Sequence, residues 1–158
     1  MVKVVRDTTK TTQEALLELS KDIEKLAIDY PELVEGITVT YSTGNMEFTP
    51  YIVVELVPHT STTGRIAVVK QIAERVQVLI SELPKAAQRV LTLDNLICVR
   101  RRYTLKTRDL SVPNQVYYSS MDHSFYWPMT NGMFQARLSK KELDTFFKAY
   151  DTDKEVQP

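Results

Sequence analysis

The hydrophobic pattern of the chain alternates between a helical period and a strand period. Apolar residues recur every three to four positions over about residues 12–29, 66–83 and 140–150. Two of these stretches follow a capping-box pair: Thr11 with Glu14, and Ser139 with Glu142. Such a pair offers a hydroxyl and a carboxylate to the free amides of a first helical turn. We therefore predict three amphipathic helices, with a kink or a short extra helix after Pro84.

A period of two, which is typical of strands, covers much of the remaining chain. The longer segments are Ile37 to Ser42, Met46 to Val57 and Leu96 to Thr107, and shorter arms lie at Gln115 to Met121, Ser124 to Met129 and Met133 to Leu138. Thr43-Gly44-Asn45 has turn chemistry and predicts a hairpin between the first two segments. Pro50 lacks the amide that a central strand needs, so its strand is either interrupted there or lies at an edge.

The order of these elements indicates the fold class, because strands and helices do not alternate as a parallel sheet requires. We predict an α+β fold with a mainly antiparallel sheet, helices packed on one face, and the order α-β-β-α-β-β-β-α. One domain covers residues 11–150, with an N-terminal arm at 1–10 and a polar C-terminal tail at 151–158. The polar stretch Pro58 to Gly64 is predicted to be a connector.

Composition and charge exclude several classes of protein. The 158 residues are 43% apolar and 25% charged, which is typical of one soluble globular domain. Twenty basic residues balance twenty acidic ones, so the chain does not bind nucleic acid through bulk charge. No apolar run approaches the ~20 residues of a membrane span, and no signal-peptide pattern opens the chain. We therefore expect a soluble, cytoplasmic protein with no membrane partner.

The residues that usually ligate metals or act as nucleophiles are scarce. A single cysteine, Cys98, excludes an intramolecular disulfide and a multi-cysteine metal site. No histidine lies near it in sequence to act as its base, so we interpret it as structural. His59 and His123 lack the helix or hairpin spacing to carboxylates that would fix a metal site locally. We predict no metal and no cofactor.

Catalytic motifs are equally sparse, and the glycine-rich phosphate-binding patterns are absent. His59-Thr60-Ser61 has the His-x-Ser/Thr order of two-histidine phosphodiesterases, in which paired imidazoles exchange protons. The second copy that such an enzyme needs is incomplete, because His123-Ser124-Phe125 ends in phenylalanine instead of a hydroxyl. A phosphodiesterase is our third hypothesis, and we predict no catalytic residue.

The strongest local charge signal is the run Arg100-Arg101-Arg102, which continues to Lys106. On a strand, Arg100, Arg102 and Lys106 lie on one side, at steps of ~7 Å that approach the phosphate spacing of an extended single strand. We predict charged contacts for these three residues, either with nucleic acid or with carboxylates of another subunit. A solvated sheet face is the alternative.

An aromatic stretch, Phe125 to Met129, concentrates residue types that anchor protein interfaces. We predict that Tyr126, Trp127 and Met129 provide apolar anchoring to a partner. The alternative is that this stretch covers Phe146 and Phe147 of the last helix within the chain's own core.

The predicted element order is similar to that of small phage tail-terminator and head-completion proteins. Those proteins form rings without catalytic residues, so the likeness implies a structural component of a virus particle, assembled in the host cytoplasm. We expect a non-enzymatic protein that forms homo-oligomers and contacts other assembly proteins. The alternative function is a nucleic-acid-binding accessory protein that uses the strand with Arg100, Arg102 and Lys106.

Overall fold

The computed structural model describes residues 12–44, 47–57, 61–91, 96–100, 115–128 and 136–153. Its elements are α1 (Thr12–Lys25) with a 3-10 turn (Leu26–Asp29), β1 (Val34–Gly44), β2 (Glu47–Leu56), α2 (Thr62–Ser81), α3 (Lys85–Val90), β3 (Leu96–Arg100), β4 (Gln115–Ser119), β5 (Ser124–Tyr126) and α4 (Lys140–Asp153). The predicted N-terminal arm lies outside the described residues. Helix α4 continues three residues into the stretch that was predicted to be a polar tail.

The strands form one sheet in the order β1-β2-β3-β4-β5. Three of the four pairings are antiparallel, and β2 pairs with β3 in parallel. The predicted α+β class and the mainly antiparallel sheet are therefore confirmed, although the sheet is mixed. A parallel pair needs a long crossover connection, and α2 and α3 lie in the connection between β2 and β3.

The region between β2 and β3 contains two helices, because Pro84 has an extended backbone that separates α2 from α3. A short extra helix was one of the two outcomes predicted after Pro84. In addition, Thr62, Thr63 and Gly64 belong to α2 and not to the predicted connector. The Ser61 hydroxyl accepts a hydrogen bond from the Gly64 amide at 2.9 Å, so it caps the helix and moves its start toward the N-terminus.

Pro50 does not interrupt β2, which is continuous from Glu47 to Leu56 and pairs Pro50 with Tyr41 of β1. On the other side of β2, β3 pairs only with Ile52, Val53 and Val54. The proline therefore lies where β2 extends beyond its described pairing with β3, so the missing amide removes no hydrogen bond from that pairing.

One row of buried side chains crosses all five strands. The strand register places Val39, Ile52, Ile97, Tyr118 and Phe125 side by side. All five belong to the hydrophobic core, which also contains side chains of α1, α2 and α4. We call this side of the sheet the core face and the opposite side the outer face. On the outer face, Val53 and Cys98 are also buried within the chain, although they do not belong to this core cluster.

Both edges of the sheet are occupied by other parts of the chain. At the β1 edge, the Val39 amide donates a hydrogen bond to the Glu24 carboxylate of α1 at 2.9 Å. At the β5 edge, the Trp127 amide donates to the Ala136 carbonyl at 3.1 Å, and the Leu138 amide donates to the Phe125 carbonyl at 2.9 Å. Free strand edges invite pairing with another chain, and these contacts block that route at the positions named.

A buried arginine joins two helices of the core. Arg65 of α2 is 0% exposed, and its guanidinium donates a hydrogen bond to the Phe147 carbonyl of α4 at 3.2 Å. The guanidinium carbon also lies 5.1 Å from the centroid of the Phe147 ring, within range of a cation–π interaction. The side chain therefore fixes the position of α4 through a hydrogen bond and through packing.

We expect Arg65→Ala to lower the free energy of unfolding by about 3 kcal/mol, because it leaves a cavity and removes a donor from a buried carbonyl. Arg89→Ala, at an exposed position of α3, is the matched control and should change stability by less than about 0.5 kcal/mol. Urea unfolding measures both. Equal stabilities for the two variants would show that Arg65 does not hold α4.

Tyr41 connects β1 to α1 by donating a hydrogen bond from its hydroxyl to the Leu16 carbonyl at 2.7 Å. Burial raises the pKa of the Tyr41 phenol to about 12, and the negative charge of Glu24 adds to the rise against an opposing hydrogen bond with Ser20. The folded chain therefore favours the neutral phenol. Its contribution to stability is complete below pH 10, the ordinary pKa, and is lost as the pH rises toward 12.

Tyr41→Phe should lower the free energy of unfolding by about 1 kcal/mol at neutral pH, since one hydrogen bond is lost. Between pH 10 and about 12 the same variant should lose stability less steeply than the wild type, because one raised tyrosine pKa is gone. Urea unfolding at a series of pH values tests both effects. Parallel curves over that range would contradict the burial of this phenol.

Candidate interaction surface

The outer face is organised as rows of residues that run across the strands. The middle row contains Thr38, Val53, Cys98, Tyr117 and Tyr126, in that order from β1 to β5. Val53 and Cys98 are only 3% and 1% exposed, whereas Thr38 at one end of the row is exposed. The row is therefore apolar at its centre, with two half-buried phenols beside it.

Cys98 lies at the centre of a polar–aromatic cluster. The Tyr51 hydroxyl of β2 donates a hydrogen bond to the Cys98 thiol at 3.6 Å. On the other side, Tyr117 of β4 is the register partner of Cys98, and its hydroxyl accepts a hydrogen bond from the Gln115 amide at 2.8 Å. Two tyrosines from the neighbouring strands thus lie beside the thiol.

The environment makes both the thiol and the Tyr51 phenol reluctant to ionise. Burial raises the pKa of the Cys98 thiol, although the Tyr51 hydrogen bond and the positive charge of Arg100 act in the opposite direction. Burial also raises the pKa of Tyr51, and the neighbouring Cys98 and Tyr117 contribute to that rise. A buried thiol with a raised pKa is a poor nucleophile. The cluster therefore suits packing and hydrogen bonding, not covalent catalysis.

A charged row runs beside the middle row. It contains the residues that follow the Val54–Val99 register pair on each strand: Glu55 on β2 and Arg100 on β3. Arg100 is exposed and Glu55 is half-buried, and within the described residues neither makes an ion pair. Gln115 of β4 is the register partner of Arg100 and completes the row.

The turn between β4 and β5 carries a second polar group. The Asp122 carboxylate accepts a hydrogen bond from the Tyr126 hydroxyl and lies 3.2 Å from the Arg137 guanidinium. The Tyr126 hydrogen bond and the Arg137 charge hold the pKa of this exposed carboxyl below its usual value. Tyr126 therefore has its ring on the outer face and its hydroxyl fixed at the turn.

The structure brings together only some of the predicted site residues. Arg100 and Tyr126 both lie on the outer face, on β3 and β5. Trp127 follows Tyr126 and packs against the hydrophobic core, which includes Phe146 and Phe147. Trp127 is half-buried, so its role as an apolar anchor stays a prediction. Arg102, Lys106 and Met129 lie outside the described residues.

The histidines give no support to the phosphodiesterase hypothesis. His59 lies outside the described residues. The Nδ1 atom of His123 lies 3.1 Å from the Tyr118 hydroxyl, and His123 has a left-handed backbone (φ 57°) in the turn before β5. Among the described residues, no group of three or more His, Cys, Asp or Glu side chains is arranged to hold a metal ion.

Two residues of this surface, Tyr51 and Glu55, were not predicted from the sequence to belong to it. The alternation of β2 already places Tyr51 and Glu55 on the same side as Val53, so a signal for them exists. The sequence does not reveal that β2 lies beside β3, because that parallel pairing joins residues as far apart as Tyr51 and Cys98, 47 positions along the chain.

Comparison with known proteins returned no match to any protein-family model, to any curated protein or to any solved structure. Within the described residues, no helix has both the length and the apolar character needed to cross a membrane.

We expect Cys98 in the folded protein to react with a disulfide reagent such as dithiobis(nitrobenzoate) at least about tenfold more slowly than in denaturant. Tyr51→Ala should accelerate the reaction of the folded protein, because the phenol beside the thiol is removed. Tyr126→Ala removes a phenol at the far end of the same row and is the matched control, with little effect on the rate. Equal rates for the two variants would show that Tyr51 does not shield Cys98.

Proposed function

We propose that this protein is a non-enzymatic interaction protein that self-associates through the outer face of its sheet. The observation that supports the proposal best is the composition of that face. The half-buried phenols Tyr117 and Tyr126 lie on that face together with the exposed side chains of Thr38 and Arg100. Partly exposed aromatic side chains bordered by polar residues are typical of a specific protein interface.

The hydrogen bonds at the sheet edges also favour the outer face as the interaction surface. Glu24 satisfies an amide on the β1 edge, and residues 136–138 pair with the β5 side. Association by adding strands at these positions would require those contacts to break. An interface formed by the exposed side chains of the outer face would leave those edge contacts intact.

The state of the reactive side chains supports a non-enzymatic role. Cys98 is buried with a raised pKa, and His123 is hydrogen-bonded to Tyr118 in a turn. A nucleophile and a general base must lie within hydrogen-bond reach of each other. In the part of the chain that the structure describes, Cys98 and His123 form hydrogen bonds with different tyrosines and not with each other.

Binding of single-stranded nucleic acid is the second candidate function. Arg100, Tyr117 and Tyr126 share the outer face, and aromatic side chains on a sheet are a common platform for stacked bases. Glu55 and Asp122 oppose it, because both bring negative charge near the same residues. The balanced charge of the whole chain also favours a protein partner.

A phage tail or head-completion complex, assembled in the host cytoplasm, is one setting for a protein of this kind. Only the similarity in predicted element order supports that setting.

We expect light scattering during size-exclusion chromatography at about 0.1 mM protein to give a discrete oligomer of the 18.2 kDa chain. Its ratio of absorbance at 260 to 280 nm should be that of protein alone, at low and at high salt. Tyr117→Arg should reduce the mass, because it places an unpaired charge in the apolar centre.

Leu17→Arg is the matched control, since Leu17 is an exposed apolar residue of α1, and it should leave the mass unchanged. Thermal unfolding checks that both variants are folded. A wild-type monomer would overturn the proposal. A species that carries nucleic acid until salt removes the nucleic acid would instead favour the second candidate function.

A further inference from the structure

We propose that the hydrogen bond between Tyr118 and His123 is a pH-sensitive switch, which holds the turn between β4 and β5 while the imidazole is neutral and releases it when the imidazole gains a proton. The inference concerns the conformation of this turn and does not depend on the proposed function. Three observations support it: a buried hydroxyl, a single described acceptor for its proton, and a left-handed backbone at that acceptor.

The hydroxyl belongs to a side chain of the core. Tyr118 of β4 is only 1% exposed, and its ring lies 5.1 Å from the ring of Phe125 of β5 between centroids. Its hydroxyl oxygen lies 3.1 Å from Nδ1 of His123, and the part of the chain that the structure describes offers it no other hydrogen-bond partner. A buried hydroxyl proton needs an acceptor, so the hydroxyl donates and Nδ1 accepts.

The imidazole accepts this proton only while Nδ1 carries none of its own. A neutral imidazole has one nitrogen that donates and one that accepts, whereas a protonated imidazole has two that donate. Imidazoles gain that proton between about pH 8 and about pH 5, and His123 is exposed, so the proton comes directly from solvent. Protonation therefore leaves the buried hydroxyl proton of Tyr118 without its acceptor.

The backbone of the turn explains why the loss of one hydrogen bond changes its conformation. His123 has a φ of 57°, in the left-handed region that is unfavourable for a residue with a side chain. Such a conformation persists only where surrounding contacts hold it. The hydroxyl of Tyr118 ties the imidazole to the core, so breaking this contact allows the turn to leave the left-handed region.

Other charged and polar groups surround this pair. Glu74 of α2 and Asp122 of the turn both place negative charge near Tyr118 and, together with the larger effect of burial, raise the pKa of its phenol. Asp122 also accepts a hydrogen bond from Tyr126 and lies 3.2 Å from the Arg137 guanidinium. All of these groups remain when only the hydroxyl of Tyr118 is removed, so that change isolates the hydrogen bond.

A change in the turn also reaches the outer face. Asp122 directly precedes His123, and its carboxylate is the acceptor that fixes the Tyr126 hydroxyl. When the backbone at His123 leaves the left-handed region, this acceptor moves with it. Acid therefore frees the hydroxyl of an outer-face tyrosine.

The experiment measures how much Tyr118→Phe destabilises the protein at about pH 8 and at about pH 5, by urea unfolding. Phenylalanine retains the ring beside Phe125 and removes only the hydroxyl. At the higher pH, the unfolding equilibrium constant of the variant should be about fivefold larger than that of the wild type, since one hydrogen bond is lost. At the lower pH the ratio should fall to about one or below, because the wild type then contains a buried hydroxyl without an acceptor.

Tyr126→Phe is the matched control, because it removes a second hydroxyl from the same turn. Its acceptor is the carboxylate of Asp122, whose pKa lies below its usual value, so the effect of this variant should be the same at both pH values. His123→Asn tests the imidazole itself, since asparagine tolerates a left-handed backbone and gains no proton. In the His123→Asn background, Tyr118→Phe should also have the same effect at both pH values.

Nuclear magnetic resonance of the wild type tests the turn directly. Nuclear Overhauser contacts between the Tyr118 ring and the His123 imidazole should be present at the higher pH and be lost at the lower one. Contacts that persist unchanged would overturn the proposal. An equal effect of Tyr118→Phe on unfolding at both pH values would overturn it as well.

Discussion

The row Val39, Ile52, Ile97, Tyr118 and Phe125 ties every strand of the sheet to the helices, and the outer face follows from it. Side chains of a strand alternate between faces, so burying this row fixes which residues face outward. A shift of any strand by one residue would place its apolar residues on the outer face. The position of Arg100 and Tyr126 on a common surface is therefore a consequence of packing on the other side of the sheet.

Hydrophobic periodicity predicted most of the secondary structure of this fold. The amphipathic stripes located α1, α2 and α4, and alternation placed Ile97 and Val99 in the core with Cys98 and Arg100 opposite. The predicted element boundaries and strand pairings were wrong where a single side chain or a pairing between distant residues determines the structure. The Ser61 cap, for example, changed the start of α2.

The surface was harder to predict than the fold, because it is assembled from residues that are distant in the chain. Arg100 and Tyr126 were found because basic and aromatic residues stand out in a sequence. Glu55 and Tyr51 do not, and they matter only because β2 lies beside β3. Trp127 shows the opposite case: its residue type suggests a binding anchor, and its alternation with Tyr126 directs it to the core.

Arg65 and Glu24 are polar side chains that connect elements of the core, and hydrophobic periodicity does not predict their contacts. Arg65 satisfies a carbonyl of α4 from within α2, and Glu24 satisfies an amide of β1 from within α1. Both contacts join an early element of the chain to a later one. Glu24 thereby satisfies an amide within the edge strand β1, and Arg65 adds a donor to a carbonyl within α4.

The parallel pairing of β2 with β3 also affects how the chain folds. The β1–β2 and β4–β5 hairpins close over short stretches of chain. The pairing of β2 with β3 must instead bring together residues such as Tyr51 and Cys98, which are 47 positions apart. Long-range pairings of this kind form slowly, because loop closure costs entropy before any contact is gained. Glu55 belongs to β2 and Arg100 to β3, so a chain that has formed only its hairpins does not yet place them on one sheet. The outer face therefore requires this slow pairing as well as the two hairpins before its residues share one surface.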